Sequence, residues 1–183
     1  MSHEGSAILA LPAHCECLYN LEQLHAALDT MALEINQQMA GSDPVLVLTV
    51  MNGGLVTAGQ LLPRLDFLLE VDYVHASRYG NRIEGGKLQW QHEPNVALEG
   101  RRVLFLDDIL DRGITLQALV DYAREKGAAS VHTAALIQKR LPEPPAVAAD
   151  FLGLTVPDRF VYGFGMDYRG YWRNAPGVFV ASE

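Results

Sequence analysis

Val103–Leu116 reads VLFLDDILDRGITL, and the fold turns on how this stretch is read. Four apolar residues, Val103 to Leu106, form a continuous run of the kind that fills a buried strand. They lead straight into Asp107 and Asp108. A third acid, Asp111, then precedes Arg112, Gly113, Ile114 and Thr115. Leu116, Leu119, Val120 and Ala123 follow at helical spacing, with Thr115 near the start and Gly127 as the stop. A strand, a small hydroxyl-bearing loop and a helix start make an anion cradle, because the first amides of a helix lack intrahelical partners. Neither G-x-x-x-x-G-K-S/T nor G-x-G-x-x-G is present, so a P-loop or dinucleotide site has no motif behind it. Carboxylates accept hydrogen bonds, so Asp107 and Asp108 suit a vicinal diol such as ribose, with or without Mg2+. Asp111 is placed to take a proton or to stabilise developing positive charge. A ligand with phosphate at one end and a diol in its middle reconciles three acids with an anion cradle.

Working outward, Leu18, Leu21, Leu24, Leu28, Met31, Ile35 and Met39 recur at three- and four-residue steps, which predicts an amphipathic helix. Asn20 with Gln23 suits its start and Gly41 its end. Val45–Val50, VLVLTV, reads as a second buried strand, followed by MNGG (Met51–Gly54) and a short helix toward Leu62. Phe67–Val74 and Val131–Ile137 read as further strands, and Phe160–Phe164 as a short one. Between Arg78 and Asn95 the apolar periodicity vanishes, which predicts a long mobile loop or a loose hairpin. Strands alternating with helices imply an α/β fold with a parallel sheet and right-handed crossovers. Ligands of such sheets sit beyond the carboxyl ends of the strands, where both MNGG and DDILDRGIT fall.

At 183 residues the chain reads as one domain over residues 1–183, long enough to bury roughly 70% of its unfolded surface. Its formal net charge is −8, and its only lysines are Lys87, Lys126 and Lys139. That composition offers no basic face for nucleic acid. No apolar run approaches a membrane span, and the first residues lack a basic segment before an apolar one, so the expected compartment is the cytoplasm. Cys15 and Cys17, beside His14, have no second ligand cluster at zinc spacing and read as reduced thiols.

VLFLDDILDRGITL resembles the phosphoribosyl-pyrophosphate motif of the type I phosphoribosyltransferases. ALIQKRLP (Ala135–Pro142) and PDRFVYGFGMDYRGYWRN (Pro157–Asn174) are similar to the purine-binding and pyrophosphate segments of the hypoxanthine-guanine branch. With MNGG and VDYVHASRYG, the likeness runs through most of residues 45–175 in the expected order. It implies a sheet flanked by helices, with a small hood built from about residues 150–183 and part of the N-terminal segment. It implies transfer of 5-phosphoribosyl from phosphoribosyl pyrophosphate to N9 of hypoxanthine or guanine, with Mg2+ as cofactor and a homodimer or homotetramer as the assembly. Asp107 and Asp108 would hold the ribose hydroxyls, and Asp111 would act near purine N7. Asp111, Arg112, Gly113, Ile114 and Thr115 would cradle the 5-phosphate. Asn52, Gly53, Gly54 and Arg173 would meet the pyrophosphate. Lys139 would donate to O6, Phe160 would stack on the base, the Val161 backbone would read its edge, and Asp167 would bind Mg2+ directly or through water. Arg78 and Tyr79 would belong to a flexible active-site loop, about residues 78–95.

The chain departs from that pattern at several positions. Asn52 stands where the family usually has lysine, which removes one positive charge from the leaving-group site. Arg78 stands where Ser is common, and is a candidate to restore some of that charge. Arg112 replaces a small residue, and either clamps the phosphate or points outward. Asp107 replaces the more usual Glu. Two other readings compete: a non-catalytic phosphoribosyl-pyrophosphate sensor, and an enzyme for another base such as xanthine or adenine. Asp111 favours an enzyme, and a cationic donor at Lys139 disfavours a 6-amino purine.

Overall fold

The computed structural model describes residues 15–78 and 88–181. Nine strands and three helices are assigned within them: β1 (Cys15–Asn20), α1 (Leu21–Met39), β2 (Val45–Val50), α2 (Gly54–Leu61), β3 (Leu69–Arg78), β4 (Leu88–His92), β5 (Arg102–Leu110), α3 (Ile114–Glu125), β6 (Ser130–Arg140), β7 (Phe151–Pro157), β8 (Val161–Tyr162) and β9 (Gly177–Ala181). The main sheet has six strands in the order β4-β3-β2-β5-β6-β7. All neighbours are parallel except β4, which runs antiparallel to β3 at the edge. The fold is therefore α/β as expected, with a sheet that is parallel except for β4. Of the two readings of residues 78–95, the described part is a hairpin arm, with Ala76 opposite Trp90 and Arg78 opposite Leu88. Residues 79–87 of that segment lie outside the described residues.

Strand alternation divides the core into two layers. Val45 and Val47 of β2, with Leu104 and Leu106 of β5, face α1 and α2. Their neighbours Leu46, Leu48, Val103 and Phe105 face α3. Every residue of β2 is buried. That explains why its sequence is continuously apolar rather than alternating. α1 starts as predicted: the Asn20 side chain accepts from the Gln23 amide and the Gln23 side chain accepts from the Asn20 amide, both at 3.0 Å. It buries Leu24, Leu28, Met31, Ile35 and Met39.

A second sheet of three antiparallel strands, β1-β9-β8, sits apart from the first and forms the hood. Two parts of the chain differ from the sequence reading here. β1 is a strand, although Leu18 fits the helical spacing, because its backbone pairs with β9. Residues 151–157, placed at the start of the hood segment, form β7 at the edge of the main sheet.

The carboxyl ends of β2 and β5 mark the switch point of the sheet, since the chain moves from β2 outward to β3 and returns to β5 on the other side. That is where ligands of open α/β sheets bind. Asn20→Ala removes the reciprocal cap of α1 and should lower stability by about 1 kcal/mol. Urea unfolding checks this, with an unchanged slope against denaturant expected.

Candidate active site

β5 pairs with β2 only as far as Leu106 opposite Thr49, yet continues to Leu110 on the strength of its pairing with β6. The paired acids therefore sit inside the strand rather than just after it, at the point where β2 has stopped. The turn after β2 fills the space. Its Met51–Asn52 peptide is cis. A Cβ on Gly53 would lie 2.0 Å from Asp108 Oδ2, and one on Gly54 would lie 2.8 Å from the Leu106 carbonyl oxygen. Only glycine allows the loop this close to β5. Asn52 is exposed beside it.

After β5 the chain turns through Asp111, Arg112 and Gly113 into α3. Gly113 caps the helix with φ 71°, a left-handed conformation that suits glycine. Thr115 is the second residue of the helix, as expected from its place in the motif. Asp107 through Leu116 line a cavity of about 330 Å³. A second cavity of about 240 Å³ adjoins it, sharing Asp108, Ile109 and Asp111, and is completed by Lys139, Phe160, Val161, Met166 and Asp167. Arg112 lies on the rim of the first cavity and also borders a third of about 520 Å³, with Leu141, Pro142 and Pro144.

The structure thus gathers Asp107, Asp108, Asp111, Arg112, Gly113, Ile114, Thr115, Lys139, Phe160, Val161 and Asp167 around two joined chambers. In the second, Lys139 Nζ donates to Asp111 Oδ2 at 3.0 Å. Phe160 is 56% exposed, and the edge of its ring meets Tyr168 at 5.6 Å between centroids. Arg173 donates through Nη2 to Asp167 Oδ1 at 2.8 Å and through Nη1 to the Gly165 carbonyl at 2.6 Å. The Gly170 amide donates to Asp167 Oδ2 at 2.8 Å. Arg78 is the last residue of β3, and Tyr79 lies outside the described residues. Met166 lines this chamber and Tyr168 packs against Phe160, and neither was singled out in the sequence. Their spacing in a glycine-rich segment carries no periodic signal, and only the fold brings them beside Phe160.

Two carboxylates side by side in a closed space are electrostatically unfavourable. Burial, and then the charge of Asp108, hold Asp107 well above the ordinary carboxylate range. Burial also raises Asp108, against the opposing effects of its hydrogen bonds and the nearby Arg173 charge. The sign follows from linkage. A carboxylate with a raised pKa in the folded state stabilises the fold below about pH 4, and that contribution is lost as pH rises. Asp107→Asn should therefore raise the melting temperature of the ligand-free protein at pH 7 to 8, with the gain shrinking toward pH 4. Thermal unfolding across that range checks it; equal melting temperatures at pH 8 would count against the account.

Residues 15–169 match the phosphoribosyl transferase domain family. The chain is 32% identical over 164 residues to the hypoxanthine-guanine phosphoribosyltransferase of Bacillus subtilis, covering 89% of this chain and 91% of that one. It is 35% identical over 162 residues to the bifunctional protein TilS/HprT of Listeria innocua, which covers 88% of this chain. The chain spans only 25% of that longer relative. The crystal structure of a Bacillus anthracis hypoxanthine-guanine phosphoribosyltransferase superposes with a TM-score of 0.84 at 29% identity, covering 91% of this chain and 98% of that one. The chain belongs to the phosphoribosyltransferase family.

Proposed function

We propose that this protein transfers 5-phosphoribosyl from phosphoribosyl pyrophosphate to N9 of hypoxanthine or guanine, releasing pyrophosphate and serving purine salvage. The observation that carries the reading is the Lys139–Asp111 pair in the chamber walled by Phe160. A 6-oxopurine presents its O6 acceptor and N7 along one edge. Lys139 donates to O6, and Asp111 accepts the N7 proton or balances charge there. The base takes up both partners of the existing ion pair, so neither is left unsatisfied on binding. A 6-amino group is itself a donor and cannot accept from the ammonium, which selects against adenine.

The remaining roles follow from position. Phe160 offers an exposed ring for stacking, and the Val161 backbone borders the same chamber. Asp107 and Asp108 accept from the ribose hydroxyls. The amides of Ile114 and Thr115, with the Thr115 hydroxyl, point the helix start at the 5-phosphate, and Arg112 closes its rim. As the bond from ribose C1 to the pyrophosphate oxygen breaks, positive charge grows on the ribose and negative charge on the leaving group. Asn52, the amides of Gly53 and Gly54, and Arg173 receive that negative charge. N9 bonds to C1, and a proton leaves the base at N7 to Asp111. Water competes with the base in this step, and the family resemblance assigns its exclusion to Arg78 and Tyr79.

The site suits Mg2+. Asp107, Asp108 and Asp167 are hard oxygen donors, and the raised Asp107 and Asp108 carboxyls gain from a nearby cation. Among the described residues, no group of three or more His, Cys, Asp or Glu could hold a metal alone. Asp167 would hold the ion directly or through water. Bound there, Mg2+ would neutralise charge on the departing pyrophosphate. The partners proposed are these small molecules together with a second copy of the chain, in a homodimer or homotetramer. Leu55 of α2 and Val71 and Tyr73 of β3 remain exposed in the single chain. No helix among the described residues is long and apolar enough to cross a membrane. We place the enzyme in the cytoplasm.

The test is nucleotide formation from phosphoribosyl pyrophosphate, Mg2+ and each of hypoxanthine, guanine, xanthine and adenine. Product is expected from hypoxanthine or guanine and not from adenine, with Asp111→Asn slower by about a hundredfold or more. Binding of phosphoribosyl pyrophosphate without turnover of any base would replace the enzyme reading with the sensor reading. Sedimentation velocity should show a species larger than one chain; a monomer at working concentration would remove the assembly proposal.

A further inference from the structure

The leaving-group site is built from two parts of the chain that the fold brings together. One is the Asn52–Gly54 loop after β2, and the other is Arg173, close to the hood strand β9. A single residue touches both. The Gly165 amide donates to the Arg173 carbonyl at 2.8 Å. Its own carbonyl accepts from Arg173 Nη1 at 2.6 Å. On its other side, a Cβ at position 165 would lie 2.2 Å from the Gly53 carbonyl oxygen and 3.6 Å from Val56 Cβ. Its φ of 107° is one that side chains rarely adopt. Gly53 in turn leaves no space for a Cβ against Asp108. The order of contact is therefore Asp108, Gly53, Gly165, Arg173, with Arg173 also tied to Asp167.

We propose that Gly165 is a positioning residue of the pyrophosphate site, its peptide acting as the strut that holds the Asn52–Gly54 loop and the Arg173 guanidinium in register. The inference rests on the pyrophosphate reading given above. A guanidinium has five N–H donors, and two of the Arg173 donors are committed to Gly165 and Asp167. The fork is thus fixed by backbone on one side and carboxylate on the other, and its other three N–H groups have no hydrogen-bond partner among the described residues. A methyl group at position 165 must push the loop and the arginine apart. The atoms it would meet first belong to Gly53 and Val56, not to Lys139 or Asp111.

Gly165→Ala should raise KM for phosphoribosyl pyrophosphate by about tenfold or more, as expected for a small misplacement of a binding group. Inhibition by pyrophosphate should weaken by a similar factor, with KM for hypoxanthine little changed. Combined with Arg173→Lys, its effect should be less than additive, because both changes act through one guanidinium. A folded variant with unchanged affinity for phosphoribosyl pyrophosphate and pyrophosphate overturns the proposal. So does equal weakening of base and phosphoribosyl-pyrophosphate binding, which marks a general hood defect. Hydrogen exchange on the unaltered protein gives a test independent of the variant's folding: magnesium pyrophosphate should protect residues 52–54 and 163–167 together. Protection of the loop alone overturns the strut. Absence of turnover by the parent with every base overturns the functional reading instead, which separates the two failures.

Discussion

The site depends on a mismatch in strand length. β2 ends at Val50 while β5, supported by β6, continues past its last pairing with β2 through Asp107 and Asp108 to Leu110. The Asp107 and Asp108 side chains accept from the Asp108 and Ile109 amides. Left unmet, the exposed edge would leave backbone groups without partners. The Gly53–Gly54 turn meets it at distances only glycine allows. A cost remains, because burial raises both acids and the charge of Asp108 raises Asp107 further. A fold selected only for stability would replace them with apolar or amide side chains. Keeping them makes sense if a ligand supplies the missing hydroxyls and cation.

From that edge the geometry separates two jobs. The chamber over the start of α3 includes Gly113, Ile114 and Thr115, and the first amides of a helix suit an anion. The chamber toward the hood is lined by Phe160, Val161 and Met166, with one cation and carboxylates on its walls, and suits a flat, partly apolar ring. Asp108, Ile109 and Asp111 belong to both. Asp111 therefore stands between the two chambers, its carboxylate accepting from Lys139.

Legibility in the sequence followed physical locality. VLVLTV was readable because a strand buried on both faces must be apolar at every position, and all six residues are buried. The α1 cap was readable because Asn20 and Gln23 satisfy each other within one turn. The anion cradle was readable because its loop and helix start are contiguous. β7 was not: Gly153 packs against the Leu136 carbonyl of β6, so part of its strand character lies in a neighbour rather than in its own side chains. β1 was hidden because its pairing partner β9 lies at the other end of the chain. Within the site, the residues could be placed from family resemblance, but the Lys139–Asp111 contact and the Gly53–Gly165 contact are products of tertiary structure. Nothing in either segment specifies the other.

Asn52 shows how the surrounding structure bears on one substitution. A lysine there would bring a mobile charge to the leaving group, whereas asparagine brings only dipoles. Arg173 already does two electrostatic jobs, lowering the cost of ionising Asp108 and pairing with Asp167. Its charge is therefore partly spent inside the protein before a ligand arrives. In the proposed reaction, stabilisation of departing pyrophosphate then falls more heavily on the amides of Gly53 and Gly54. Fixed dipoles act only at short range and correct angle, while a charge tolerates misplacement. A chain that has given up the lysine is thus more dependent on the register of its glycine loop than one that keeps it.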